Sequence, residues 1–159
     1  MKSIKVDISD LQVSNGPESV LVTYALGSCI ALILYDPKRK TGGMIHYMLP
    51  QSKTDPEKAK STPGMFADTG IPLLFDKMAA LGSLPTDLIA KVAGGGKFFA
   101  STSTLDIGKR NYTIVRKMLW KKNIMIQAED VGGKKSRTTR LFLSSGKVTV
   151  SSGGEEKEL

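Results

Sequence analysis

The chain of 159 residues holds one cysteine and one histidine. Cys29 closes the segment Leu26-Gly27-Ser28-Cys29, and His46 follows 17 positions later in Gly43-Met44-Ile45-His46-Tyr47-Met48. A thiol of pKa about 8.5 is mostly protonated at neutral pH, and an adjacent imidazole is the commonest means of making the thiolate. A turn at Gly27 and Ser28 leaves backbone N–H groups free beside the thiol, the donors an oxyanion hole requires. Each residue taken singly also has a plainer reading. A lone cysteine is commonly an inert buried side chain, and a lone histidine between Ile and Tyr a satisfied core residue.

The elements that must position them decide whether the two can meet. Residues 29–35 are strongly apolar, the segment 36–43 carries Pro37, Gly42 and Gly43 as turn residues, and 44–48 is apolar again. Paired as an antiparallel hairpin, the start of the first strand lies beside the end of the second, which draws Cys29 and His46 together. The run Ile30-Ala31-Leu32-Ile33-Leu34 suits a strand buried on both faces. Upstream, Ile4, Val6 and Ile8 alternate as one strand, and 19–26 is rich in Val, Thr and Tyr.

Two helices follow. Ala67, Ile71, Leu74, Met78 and Leu81 share a face, with Pro72 tolerated if the helix begins near Thr69. Ile107, Ile114, Val115, Met118 and Leu119 form the apolar face of the second. Lys109, Arg110, Arg116, Lys117 and Lys121 share its opposite face. Residues 90–93 read as a strand entering the Gly94-Gly95-Gly96 turn. That turn lacks the spacing of a phosphate loop and is read as support for the site. Segments 124–128, 140–143 and 147–150 read as closing strands. Strands first, helices inserted, strands last: the class is α+β.

Composition narrows the function. An apolar fraction of 40% with 24% charged residues is ordinary globular chemistry. One cysteine forbids an internal disulfide, and with one histidine it excludes a His/Cys-rich zinc site; Glu129 and Asp130, on opposite faces of a strand, are read as a turn instead of a metal cluster. The polar–apolar alternation of the first residues is not a signal peptide, and no run is long enough to span a membrane. With a lone unpaired thiol this reads as cytoplasmic. The net charge of +8 is uneven: residues 1–80 carry +1 and residues 81–159 carry +7, so an acidic partner would meet the second half. Few aromatics interleave with the lysines, which argues against nucleic acid. The acidic segment 153–159 is expected to be a flexible tail on a domain spanning 1–152.

The segments Thr23-Tyr24-Ala25-Leu26-Gly27-Ser28-Cys29 and Gly43-Met44-Ile45-His46-Tyr47-Met48-Leu49-Pro50 resemble the CheD family of chemoreceptor glutamine deamidases. Phe66-Ala67-Asp68, Ala90-Lys91-Val92-Ala93-Gly94-Gly95, Ile107-Gly108-Lys109-Arg110-Asn111 and Ala128-Glu129-Asp130-Val131-Gly132-Gly133 with Arg137 continue the likeness in order. It runs from about residue 4 to residue 150, with Ala25 standing where glycine is frequent and Trp120 where a polar residue is usual.

The resemblance implies packed mixed β-sheets with flanking helices, similar to the cysteine-hydrolase core of glutamine-deamidating toxins. It implies a catalytic Cys29, His46 and Thr23, the last orienting the imidazole through its hydroxyl or its carbonyl, with Ser28 and Gly27 supporting the oxyanion. The implied reaction converts receptor glutamine to glutamate and ammonia without metal or organic cofactor. Implied partners are the cytoplasmic helices of chemoreceptors and CheC, the chain acting as a monomer or as a heterodimer with CheC. Arg116, Lys117 and Lys121 are the candidate docking face. The alternative is a non-catalytic adaptor that binds the CheC phosphatase and tunes CheY dephosphorylation.

Overall fold

A computed structural model describes residues 1–98 and 106–159. Among these residues, ten strands form two five-stranded mixed sheets, and three α-helices lie beside them. The first sheet runs β1 (Lys2–Lys5), β3 (Ser19–Leu26), β8 (Arg137–Phe142), β9 (Val148–Ser152), β10 (Glu155–Glu158). The second runs β2 (Asp10–Ser14), β5 (Thr41–Tyr47), β4 (Ile30–Asp36), β6 (Ile89–Gly94), β7 (Ile126–Val131). The helices are α1 (Pro56–Ser61), α2 (Ala67–Ala80) and α3 (Ile107–Lys121). The class is α+β, as the residue pattern requires.

Strand β4 is the shared wall of two cores. Its residues alternate between a cluster against α2 and α3, which holds Ile30, Leu32 and Leu34 with Ile71, Leu74 and Leu119, and a cluster between the sheets. The inter-sheet cluster holds Cys29, Ala31 and Ile33 with Leu21, Leu141 and Val150. All seven β4 residues are buried, so the unbroken apolar run reflects burial on both faces. Each Leu or Ile so enclosed contributes about 1.5–3 kcal/mol. Pro72 sits inside α2, which begins at Ala67, two residues earlier than the sequence suggests. As the sixth residue of the helix, it removes the N–H that would reach the Asp68 carbonyl.

Two expectations need correction. Ile4, Val6 and Ile8 do not lie on one strand: the chain leaves the first sheet after Lys5, passes Ser9 in the left-handed region (φ 65°) and enters the second sheet as β2. Ile8 is exposed. The tail is not frayed. Gly153 and Gly154, both at positive φ, make a tight hairpin that pairs Glu155–Glu158 with β9, and Lys157 reaches Asp130 at 3.0 Å. Two consecutive glycines at positive φ match the turn that right-twisted hairpins prefer.

Candidate active site

Strands β4 and β5 pair antiparallel with Ala31 opposite His46 and Ile30 opposite Tyr47. Cys29, two residues before Ala31, packs in the same inter-sheet cluster, so the thiol and the imidazole are diagonal neighbours on one face. The hairpin brings together the two residues that the sequence singled out. Opposite them stands Thr23 of β3, from the other sheet and fully buried. Its pairing with β8 shifts register between Thr23 and Leu26, where Ala25 adopts φ 57°. This bulge turns Tyr24 and Ala25 both outward, leaving Thr23 and Leu26 both inward. A left-handed backbone at Ala25 is a conformation that glycine adopts without strain.

The hydrogen bonds at Thr23 set the imidazole tautomer. The hydroxyl donates to the Val6 carbonyl at 2.6 Å, and its oxygen lies 2.8 Å from His46 Nδ1. A hydroxyl has one proton to give, so with that proton on Val6 the oxygen accepts from Nδ1–H. Nε2 then carries a lone pair, and among the described residues it has no partner. Between hydroxyl and carbonyl, it is the hydroxyl of Thr23 that meets the ring.

Burial governs the charges. It pushes the Cys29 thiol up to about 11, opposed by a backbone N–H of Cys29 itself. It pushes His46 down to about 4, with Asp7 pulling weakly the other way. Cys29 is 9% exposed and His46 2%. At neutral pH both are therefore uncharged, a thiol beside a neutral base and not a preformed ion pair.

The backbone around Cys29 is held from three sides. Gly96 N–H donates to the Gly27 carbonyl at 2.9 Å and Gly95 N–H to the Cys29 carbonyl at 2.8 Å. Asn111 Nδ2 donates to the Ser28 carbonyl at 3.0 Å. The glycine turn expected to support the site does so. Gly94 has φ 113°, and a Cβ there would run into the Cys29 carbonyl oxygen. Arg137, 2% exposed, locks that turn by donating to the Gly94 carbonyl at 3.2 Å and the Gly132 carbonyl at 2.6 Å while pairing with Asp130 at 3.1 Å. Burial works against the Asp130 charge, but Lys157, Arg137 and Lys135 outweigh it and hold its carboxyl below the usual range. Asp130 is thus a structural anchor, and Glu129 lies apart from it, accepting from Tyr112 at 2.7 Å.

Arg137 and Asn111 carry more of the site than their sequence settings suggest. Arg137 enters the sequence reading only as part of the family likeness, with no role given to it. Asn111 opens a helix, where shaping the cleft, capping and solvation are all open readings from sequence. The cap of α3 is instead Asp106, which accepts from Lys109 N–H at 3.1 Å. The docking residues expected from sequence, Arg116, Lys117 and Lys121, are all exposed on α3.

A family model described as "CheD chemotactic sensory transduction" matches residues 48–152. A Syntrophus aciditrophicus protein named "Probable chemoreceptor glutamine deamidase CheD 1" is 54% identical over 160 residues, covering 100% of both chains. The chain belongs to the CheD family. A relative from Solibacter usitatus is 49% identical over 100% of this chain and 94% of its own. One from Methanococcus vannielii is 40% identical over 98% and 99%; both are named "Probable chemoreceptor glutamine deamidase CheD". A solved Neisseria meningitidis protein of the DUF152 family shares 10% identity at TM-score 0.46, covering 84% of this chain and 63% of its own, too slight a likeness to bear on the chemistry. No helix among the described residues is long and apolar enough to cross a membrane.

Proposed function

We propose that this CheD family chain is a protein-glutamine deamidase acting in the cytoplasm on chemoreceptor helices, with Cys29 as nucleophile, His46 as general base and acid, and Thr23 as orienter. The observation that carries it is the chain Val6 carbonyl, Thr23 hydroxyl, His46 Nδ1–H, which leaves Nε2 unprotonated on the face that bears Cys29. The thiol proton passes to Nε2 as sulfur bonds to the carboxamide carbon, and the carbonyl oxygen becomes an oxyanion beside the Ser28 and Cys29 N–H groups. The imidazolium returns its proton to the departing nitrogen, so that ammonia leaves and a thioester remains. Nε2 then takes a proton from water, hydroxide adds to the thioester, and collapse gives glutamate and restores the thiol. No charge needs to be separated before the substrate arrives.

Substrate docking has a natural place. The segment after His46 and the first turns of α3 line a groove with the apolar Leu49, Ile107 and Ile114 and with Lys53, Arg110 and Lys117, Asp106 being the one acid among the described residues lining it. Apolar side chains with a cationic excess suit an amphipathic helix with acidic flanks, and Asn111 ties the groove to the site through the Met48 carbonyl at 2.8 Å. Of the three docking residues expected on α3, only Lys117 borders it; Arg116 leans on Tyr112, 5.7 Å from its ring. Reversing charge at Arg110 and Lys117 should lower kcat/KM for a receptor fragment about tenfold at low salt, through association, and flatten its salt dependence. Lys121→Glu should do much less, and a small uncharged glutamine peptide should respond to neither change. An unaltered salt slope in the double variant would place docking elsewhere.

The direct test is mass spectrometry of a receptor cytoplasmic fragment incubated with the protein. The expected result is the mass gain of –NH2 becoming –OH at particular glutamines, with ammonia released in equal amount. An unmodified fragment would leave an adaptor role, with CheC as partner, as the better reading.

A further inference from the structure

Asn111 is fully buried on the first turns of α3, a helix that reaches the site because Gly108 has no side chain: a Cβ there would run into the carbonyl oxygens of Gly95 and Gly96. One turn on, Asn111 sends both protons of one amide nitrogen to main-chain carbonyls, Ser28 on one side at 3.0 Å and Met48 on the other at 2.8 Å. Tyr47, opposite Ile30 in the β4–β5 pair, fixes the helix there by donating to the Asn111 carbonyl at 2.6 Å. An asparagine so enclosed is poor helix chemistry, and its Oδ1 finds no partner among the described residues. A side chain kept at that cost serves something beyond the helix.

The Ser28 carbonyl and the Cys29 N–H belong to one planar trans peptide and point in opposite directions. Holding the carbonyl toward α3 therefore aims the N–H away from α3. Cys29 N–H belongs to the residue that carries the sulfur, and so lies beside the thiol. Among the described residues it donates to no other backbone group, and neither does Ser28 N–H, whose peptide is held the same way by Gly96 at the Gly27 carbonyl. We propose that Asn111 is a positioning residue that aims the Ser28–Cys29 peptide, so that the Cys29 N–H meets the oxyanion formed next to the sulfur. The same amide holds the strand end that follows His46, and so fixes the oxyanion donor relative to the base.

This inference rests on Cys29 as the nucleophile, and it separates from that reading by comparing two reactions of the same thiol. Acylation by p-nitrophenyl acetate passes through a tetrahedral oxyanion; alkylation by iodoacetamide does not. Both are followed as Cys29 modification by mass spectrometry in the full chain, with the melting temperature measured alongside. Asn111→Asp keeps the shape and removes the amide donors; Asn111→Ala removes them without a charge and reads the effect if the aspartate variant does not fold. Acylation should fall about 10- to 100-fold relative to alkylation in the variants. Iodoacetamide should label the variants within about twofold of the wild-type rate, as expected if the thiol and His46 are undisturbed. An unchanged ratio, or acylation and alkylation falling together, would overturn the assignment while leaving Cys29 as nucleophile. A wild-type thiol that alkylates but never acylates would overturn both.

Discussion

Cys29→Ala should fold and bind as the wild type does and lose deamidation by at least about 10³-fold, read as unconverted receptor glutamine by mass spectrometry. The loss follows from removing the atom that forms the bond. The retained fold follows from size: Cys29 packs in the inter-sheet cluster as a small apolar group, and alanine keeps most of those contacts. Stability should change by less than about 2 kcal/mol. Cys29→Ser is the sharper variant. Burial already pushes the thiol up to about 11, and a hydroxyl in the same place is far harder to ionise, so serine should be nearly as inactive as alanine. Appreciable turnover by either variant would eliminate the covalent route.

His46 should leave two marks on the pH behaviour. Because burial pushes it down from 6.5 to about 4, kcat/KM should show no inflection near 6.5 and should fall only as pH approaches 4, where Nε2 gains a proton. Stability follows the same group. The folded protein resists protonating His46 and the unfolded chain does not, so the folded state keeps its full stability above 6.5. About 3 kcal/mol is then lost as pH falls through that value toward 4. His46→Ala should lack this acid loss, lose most deamidation, and label more slowly with iodoacetamide near pH 7, since no base takes the thiol proton. Equal labelling of variant and wild type would show that thiol and imidazole are uncoupled.

The parts of the site legible in the sequence are those set by neighbours along the chain. The turn between 36 and 43 and the apolar runs on either side of it determine the β4–β5 register, and that register alone brings Cys29 to the face of His46. The glycine turn at 94–96 is legible because positive φ leaves few alternatives. Less legible is the path after Lys5, where the break falls at Ser9, a residue that seldom signals positive φ, so the alternation of Ile4, Val6 and Ile8 imitates one strand. The hairpin at Gly153 and Gly154 was masked by the charges that follow it, which resemble a solvated tail. Asn111 and Arg137 act across 83 and 43 residues of chain on carbonyl oxygens, groups that every residue carries and no side-chain pattern marks.

The wall shared by the two cores has a consequence for what the protein accepts. Cys29 and His46 face the narrow layer between sheets, and the surface is closed over most of both. With Cys29 as the proposed nucleophile, a carboxamide that reaches a thiol only 9% exposed is expected to hang from a slender, unbranched stem. Glutamine offers two methylenes and asparagine one, so asparagine on the same helix stops roughly one carbon–carbon bond short. On the proposed chemistry, the closure over Cys29 works as a ruler for side-chain length.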